Sequence, residues 1–342
     1  MVSLYIFVYS ARLYYRAGVI MKKQANDGRS LRPNLTSAGV RKSMIGGSLG
    51  CAIAALALAP FAAQADPLDP TFVNQWMAMA TATQAAQPHW MTPLVTVTPR
   101  LEQELRWDFY DQQNGTGSQG NGQHIYNYGG PGGMRAEFIP STNTELILAA
   151  PPVANAWGPK GTAQGMGDWP AFLVKYRFAA ANEENGNYIV TAFFQMSDPS
   201  GTGAGISNNV LVAAPTLAFG KGWGDFDFIM TLSQQYPVAS IGTPPKTGTT
   251  VGNFGDPFLW NTTFQYHFLQ YFWPELEVNY TYWPNGTHSG LSQVLLTPGI
   301  IFGRFPLGPP RQNLILGVGY QFAVTNNPVV QNNVVATVRV TF

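Results

Sequence analysis

The sequence predicts an all-β fold: a single antiparallel up-and-down transmembrane β-barrel of about 12 strands. Three observations predict it: side chains that alternate in character, a scarcity of charge, and connections that alternate in length. In the last ten residues, Val334, Ala336, Val338, Val340 and Phe342 fall on one face, while Val335, Thr337, Arg339 and Thr341 fall on the other. A period of two is the strand period. One apolar face backed by a charged one suits a strand between lipid and a polar lumen. An edge strand of a soluble sandwich is the competing reading of this stretch alone. Charged residues make up 11% of the chain, against roughly 25% in soluble globular proteins. Glycine (36 residues) and aromatics (13%) are plentiful, which fits two-faced strands and not helices with Lys- and Glu-rich exteriors.

Residues 1–65 are an N-terminal extension and signal peptide. Arg41 and Lys42 form a basic end, Met44 to Phe61 an apolar run, and Ala63-Gln64-Ala65 a small-x-small cleavage site before Asp66. Met21-Lys22-Lys23 resembles a natural start, so residues 1–20 read as an over-extended frame. The overall charge of +1 is misleading, because the first 65 residues hold 8 basic residues and 1 acid. From Asp66 onward 11 basic residues face 17 acidic ones, a net of −6. That balance gives no support for nucleic-acid binding. The one cysteine, Cys51, lies in the leader, so the mature chain has neither disulfides nor thiol chemistry.

Residues 66–93 form a pre-barrel segment, periplasmic or folded into the barrel mouth. Phe72 to Ala86 is expected to contain one short helix. The barrel itself is expected over residues 94–342. Its strands are read at 94–110, 123–139, 144–150, 169–180, 186–197, 210–220, 224–235, 258–268, 274–283, 293–305, 313–324 and 333–342. Most match the nine to eleven residues a tilted membrane strand needs. A glycine break, Gly129 to Gly133, marks a bulge or bend in the second.

The connections test this independently. Those after even strands are short: Pro140–Asn143, Ala181–Asn185, Lys221–Trp223, Leu269–Trp273 and Pro306–Gln312. Those after odd strands are mostly longer: Asp111–Gly122, Pro151–Asp168, Asp198–Asn209, Tyr236–Pro257, Trp283–Ser292 and Thr325–Asn332. Outer-membrane barrels have short periplasmic turns, long outer loops and an even strand count. Aromatics such as Trp107, Trp169, Trp260 and Trp283 sit near strand ends, as interfacial girdles do.

No chemistry-bearing motif stands out. The four histidines, His89, His124, His267 and His288, have no metal-ligand spacing. No Gly-x-Ser-x-Gly and no phosphate loop is present. His288 and Ser289 are neighbours without an evident orienting acid. No cofactor, no metal and no enzyme activity are expected.

The charges are more informative. Strand parity turns Arg100, Glu102, Glu104, Arg106 and Asp108 inward from strand 1, Arg135 and Glu137 from strand 2, and Glu145 from strand 3. Lys175 and Arg177 on strand 4 and Arg339 on strand 12 share that wall. Facing lipid, each would cost a few kcal/mol at mid-membrane. Either they form a solute-filtering constriction, or they are a self-neutralising network that fills and stiffens the lumen.

Gly165-Met166-Gly167-Asp168 followed by Phe172-Leu173-Val174-Lys175-Tyr176-Arg177 resembles a segment of a bacterial outer-membrane family associated with the phenol meta-cleavage pathway. Arg135-Ala136-Glu137-Phe138-Ile139-Pro140 with Thr144-Glu145 is similar to that family's second hairpin. The resemblance spans most of residues 94–342. It implies an outer-membrane barrel that transports aromatic or other hydrophobic compounds, and it implies no catalytic residues. The terminal Phe342 resembles the C-terminal signal read by the barrel-assembly machinery of bacterial outer membranes. The expected function is passive passage or uptake of small molecules. The alternatives are a non-conducting adhesin, anchor or structural barrel and, behind it, a membrane hydrolase. The expected partners are outer-membrane lipid, the assembly machinery and a small solute, with no nucleic acid.

Overall fold

The computed structural model describes residues 70–342, save 119, 130–133, 160, 202–208 and 241–249. The leader read at 1–65 lies outside the described residues. Helix α1 (Pro70–Ala85) precedes twelve staves. They are β1 (Glu104–Asn114), β2 (His124–Tyr128 and Arg135–Ser141), β3 (Thr144–Ala149 and Val153–Gly158) and β4 (Gly161–Met166 and Trp169–Ala181). Then follow β5 (Tyr188–Asp198), β6 (Val210–Trp223), β7 (Phe226–Gln234 and Tyr236–Ser240) and β8 (Phe258–Tyr266). The last are β9 (Phe272–Trp283), β10 (Leu291–Pro306), β11 (Asn313–Ala323) and β12 (Val330–Thr341). A one-turn helix α2 (Val251–Phe254) sits in the β7–β8 connection.

Each stave pairs antiparallel with the next, and β1 pairs with β12 from Glu104↔Thr341 to Asn114↔Val330. That last ladder closes the sheet into a ring, and among the described residues only the extensions Gly161–Met166 and Tyr236–Ser240 pair on a single side. Phe342 continues it, its N–H donating to the Gln103 carbonyl at 3.2 Å, and its ring packs against Phe138 at 5.9 Å.

Alternation sorts the side chains as a membrane barrel requires. On β1, Leu105, Trp107 and Phe109 face out while Glu104, Arg106 and Asp108 are buried. On β4, Tyr176 and Phe178 are exposed while Lys175 and Arg177 are buried. On β12, Val334 and Val338 are exposed against buried Val335, Thr337 and Arg339. In water such an exterior would be a large apolar patch; in hydrocarbon it is the stable arrangement, because the ladders of the closed ring pair the backbone polar groups among themselves. Aromatic pairs line the outside, Phe109 with Tyr128 at 4.7 Å and Tyr176 with Phe178 at 5.2 Å.

The sequence reading differs from the structure in three places. It starts strand 1 at Leu94, whereas β1 begins at Glu104 and residues 94–103 belong to no strand. Pro93 and Pro99 are the physical reason: neither has an N–H for a ladder, and each restricts the residue before it. Arg100 and Glu102 therefore do not sit on β1. It also reads Pro151–Asp168 as a long loop, whereas that stretch is a hairpin that extends β3 and β4, with Gly158↔Gly161 at its tip. Gly161 has φ +97° there, which favours glycine. Third, β7 breaks at Gln235 and resumes against β6 as Tyr236–Ser240.

Helix α1 lies at the short-turn end. Trp76 Nε1 donates to the Ile139 carbonyl at 2.7 Å, Arg177 Nη1 to Thr83 O at 3.0 Å, and Arg311 Nη2 to Gln84 Oε1 at 2.9 Å. These partners come from β2, β4 and the β10–β11 turn, so the helix is tied to three sides of the opening.

Candidate functional site

Residues 87–103 run from the helix into the ring and fill the lumen at its short-turn end. They are buried almost without interruption. An extended chain placed inside a barrel carries backbone N–H and C=O groups that need partners. The inward side chains of the wall supply them.

Arginines take the carbonyls. Arg339 Nη1 and Nη2 donate to Thr92 O at 2.5 Å and Pro93 O at 2.8 Å. Arg106 Nη2 donates to Leu94 O at 2.7 Å. Lys175 Nζ donates to Arg100 O at 3.1 Å, and Thr191 Oγ1 to Pro99 O at 2.7 Å. Carboxylates take the amides. Glu275 Oε1 accepts Leu94 N–H at 3.0 Å, and Glu277 accepts Val95 and Thr96 N–H at 2.7 and 2.6 Å. Glu145 Oε2 accepts Glu102 N–H at 2.6 Å. Gln87 caps Leu101 from both directions, Nε2 to its carbonyl at 2.8 Å and Oε1 from its N–H at 3.0 Å.

Apolar contacts complete the seat. Leu94 is fully buried against glycines on β10 and β11. A Cβ at Gly299, Gly317 or Gly319 would lie 2.5–2.7 Å from a Leu94 methyl. Trp90 lies over Gly220 in the same way, a Cβ there meeting the ring at 2.6 Å. These glycines make room for the inserted side chains.

Of the eleven charged residues named from the sequence, ten are buried and Arg135 is partly buried with its guanidinium on Asp108. Arg100 and Glu102 reach the lumen from the inserted segment, where they pair at 2.9 Å. Asp108 binds Arg106 at 2.8 Å and Arg135 at 2.7 Å, and Lys175 binds Glu145 at 2.9 Å. Arg135, Arg106 and Arg339 occupy one cross-strand row over β2, β1 and β12, and Glu137 lies opposite Glu104 in the next. Like charges side by side are unfavourable. The wall therefore neutralises itself only in part, through Asp108 and the Lys175–Glu145 pair, and carbonyls of the inserted segment take further donors of Arg106 and Arg339.

Sequence reasoning missed Glu275 and Glu277 on β9, and with them Arg304. The signal was there, since Glu275, Glu277 and Asn279 alternate with Leu276 and Val278. Arg304 Nη2 donates to the carbonyls of His89 and Trp90 at 2.8 and 3.3 Å.

Two cavities flank the inserted segment. One of about 270 Å³ is bordered by Arg100, Glu102, Glu104, Arg304 and Arg311. The other, of about 400 Å³, is bordered by Trp90, Asp227, His267 and Trp273. Among the described residues no group of three or more His, Cys, Asp or Glu side chains is placed to hold a metal ion. Ser289 Oγ donates to Pro284 O at 3.3 Å, and the His288 ring lies against Trp283 at 5.3 Å. Gly224 (φ +60°) and Gly255 (φ +74°), each followed by an aspartate, are turn elements.

No protein-family model and no curated protein matches the sequence. Among solved structures, the fold is similar to an outer-membrane channel from Pseudomonas putida F1, at 12% identity and TM-score 0.47, over 70% of this chain and 96% of that one. It is similar to the NanC porin at 9% identity and TM-score 0.41, over 70% of this chain and 98% of that one. It is also similar to a variant of the TodX monoaromatic hydrocarbon channel, at 9% identity and TM-score 0.36, over 75% and 95%.

Proposed function

We propose that the chain is a bacterial outer-membrane channel for passive passage of small molecules, with residues 87–103 as its gate. One observation carries this reading. Beside its own pairs, Arg106 and Arg135 with Asp108 and Lys175 with Glu145, the charged wall directs hydrogen bonds from Arg339, Arg106, Lys175, Glu275, Glu277 and Glu145 at the backbone of a segment that takes no part in the ladder. The short-turn end is then periplasmic, and Phe342 closes the ring as the terminal signal read by the assembly machinery. The solutes to test first are aromatic and other hydrophobic compounds, the class implied by the resemblance to the phenol meta-cleavage family. Glu104 on β1 and Glu102 at the end of the gate border the smaller cavity; they are the candidate filter, Glu104 fixed to the wall and Glu102 carried by the gate.

A non-conducting barrel is the second reading, favoured by the burial of Met91 and Leu94. Planar-bilayer recording separates the two. The Glu275→Gln/Glu277→Gln variant is expected to open more often than the native chain, and liposome swelling should then rank solutes by size and hydrophobicity. A folded variant that stays closed at every voltage would leave the structural barrel as the answer. If openings occur but a Glu102→Gln/Glu104→Gln chain keeps native conductance and ion preference, those two residues are not the filter.

A further inference from the structure

The larger cavity contains polar groups that bind nothing in the protein. Asp227 on β7 lines it and is 5% exposed. Among the described residues its carboxylate accepts no hydrogen bond and forms no ion pair. Asn187 lines the same space, is 6% exposed, and its Oδ1 is buried without a donor. Gly222 lies beside both. A Cβ there would come within 2.0 Å of Asn187 Nδ2 and 2.7 Å of Asp227 Oδ1, so only a bare backbone leaves these side chains their room.

The remaining walls are aromatic. Trp273 and His267 stack in parallel at 4.1 Å, and Trp90 and Tyr271 complete the lining. Two other charges are occupied: Glu183 binds His89, and Arg304 is held by the His89 and Trp90 carbonyls. That leaves Asp227, Asn187 Oδ1 and the His267 ring Nε2 as acceptors open to a ligand, with Trp90 Nε1 an unpaired donor and Asp225 adding negative charge on the same lining.

A buried carboxylate without a partner must either take a proton or meet a cation, and a ligand that brings the cation is favoured by the second route. Acceptors beside aromatic faces suit an ammonium group, which donates to the oxygens and is attracted to the rings. The volume lies within the range of small-molecule sites. We propose that this cavity is a binding site for a small organic ammonium ion with an aromatic or apolar body, Asp227 being its counter-ion. The site depends on the barrel and not on conduction, so it stands apart from the channel reading.

The test is calorimetric titration of the full chain in detergent micelles, with empty-micelle heats subtracted. The probes are benzylammonium chloride, uncharged benzyl alcohol and benzoate. Benzylammonium is expected to saturate, to weaken as sodium chloride is added, and to bind at least about tenfold more tightly than either of the other two. Asp227→Asn should weaken it at least about tenfold, while Asp256→Asn, in an outer connection, should not change it. Equal binding of the amine and the alcohol by the native chain would overturn the proposal, as would native affinity in folded Asp227→Asn. If Asp227→Asn does not form a heat-modifiable barrel, the native comparison of probes decides alone.

Discussion

Glu277 Oε2 accepts the backbone N–H of Thr96 at 2.6 Å, joining residues 181 positions apart. Its other oxygen takes the N–H of Val95 at 2.7 Å. A wall carboxylate thus holds two consecutive amides of the chain that fills the lumen. Hydrogen bonds to charged groups contribute roughly 1.5–3 kcal/mol each.

Glu277→Ala is therefore expected to loosen residues 94–96. In a Thr96→Cys background, a membrane-impermeant maleimide should label the variant at least about tenfold faster, since even one such bond corresponds to about that factor. Labelling at the native rate would mean that Glu277 does not hold the segment.

Leu94 and Gly299 should show coupled effects. Leu94→Ala is expected to cost about 2–5 kcal/mol through the cavity it leaves. Gly299→Ala would set a Cβ 2.5 Å from Leu94 Cδ1 and is expected to displace the segment. The double variant should be milder than the sum of the two, because the added methyl enters vacated space. Strict additivity in denaturant titrations would show that Leu94 does not occupy this glycine seat.

The Lys175–Glu145 pair is fully buried. Removing one partner strands a charge and is expected to cost about 3–5 kcal/mol. Lys175→Met should accordingly lower the temperature at which the barrel loses its heat-modifiable mobility, and adding Glu145→Gln should recover much of the loss. A double variant less stable than Lys175→Met would refute this.

Acid should release the segment at the short-turn end first. Burial pushes the Glu183 carboxyl up, but hydrogen bonds from His89 outweigh it and hold the group below its ordinary 4.5. A carboxylate held low in the folded state stabilises above its unfolded value, and that contribution is lost as pH falls through the folded one. Exchange protection over residues 86–90, taken relative to the intrinsic rate at each pH, is thus expected to be flat above the ordinary carboxylate range and to fall below it. Glu183→Gln should show the lowered protection at every pH, and a native chain whose protection has no acid dependence would count against the His89 contact as an anchor.

The ring was legible because lipid imposes its rule residue by residue. Leu276 and Val278 face out and Glu277 and Asn279 face in, and the sequence states as much. The first strand was read ten residues too early because Leu94 to Gln103 alternates as a strand would. There the apolar residues are buried inside the barrel instead of facing lipid, and Pro93 and Pro99 were the available warning. The 153–166 hairpin escaped because Ala154, Ala156 and Gly165 give almost no contrast between faces. Inward charges could be named from parity, but not what they bind. Besides one another, their partners are main-chain carbonyls and amides, which nearly every residue has and no sequence pattern marks.

Residue 103 leads directly into β1, and β1 is the stave that seals the ring against β12. A segment that slipped out would still be tethered at Glu104, beside its own seat. Its return is unimolecular, governed by tether length and not by protein concentration, so reclosure should run at the same rate in a crowded membrane as in a dilute vesicle.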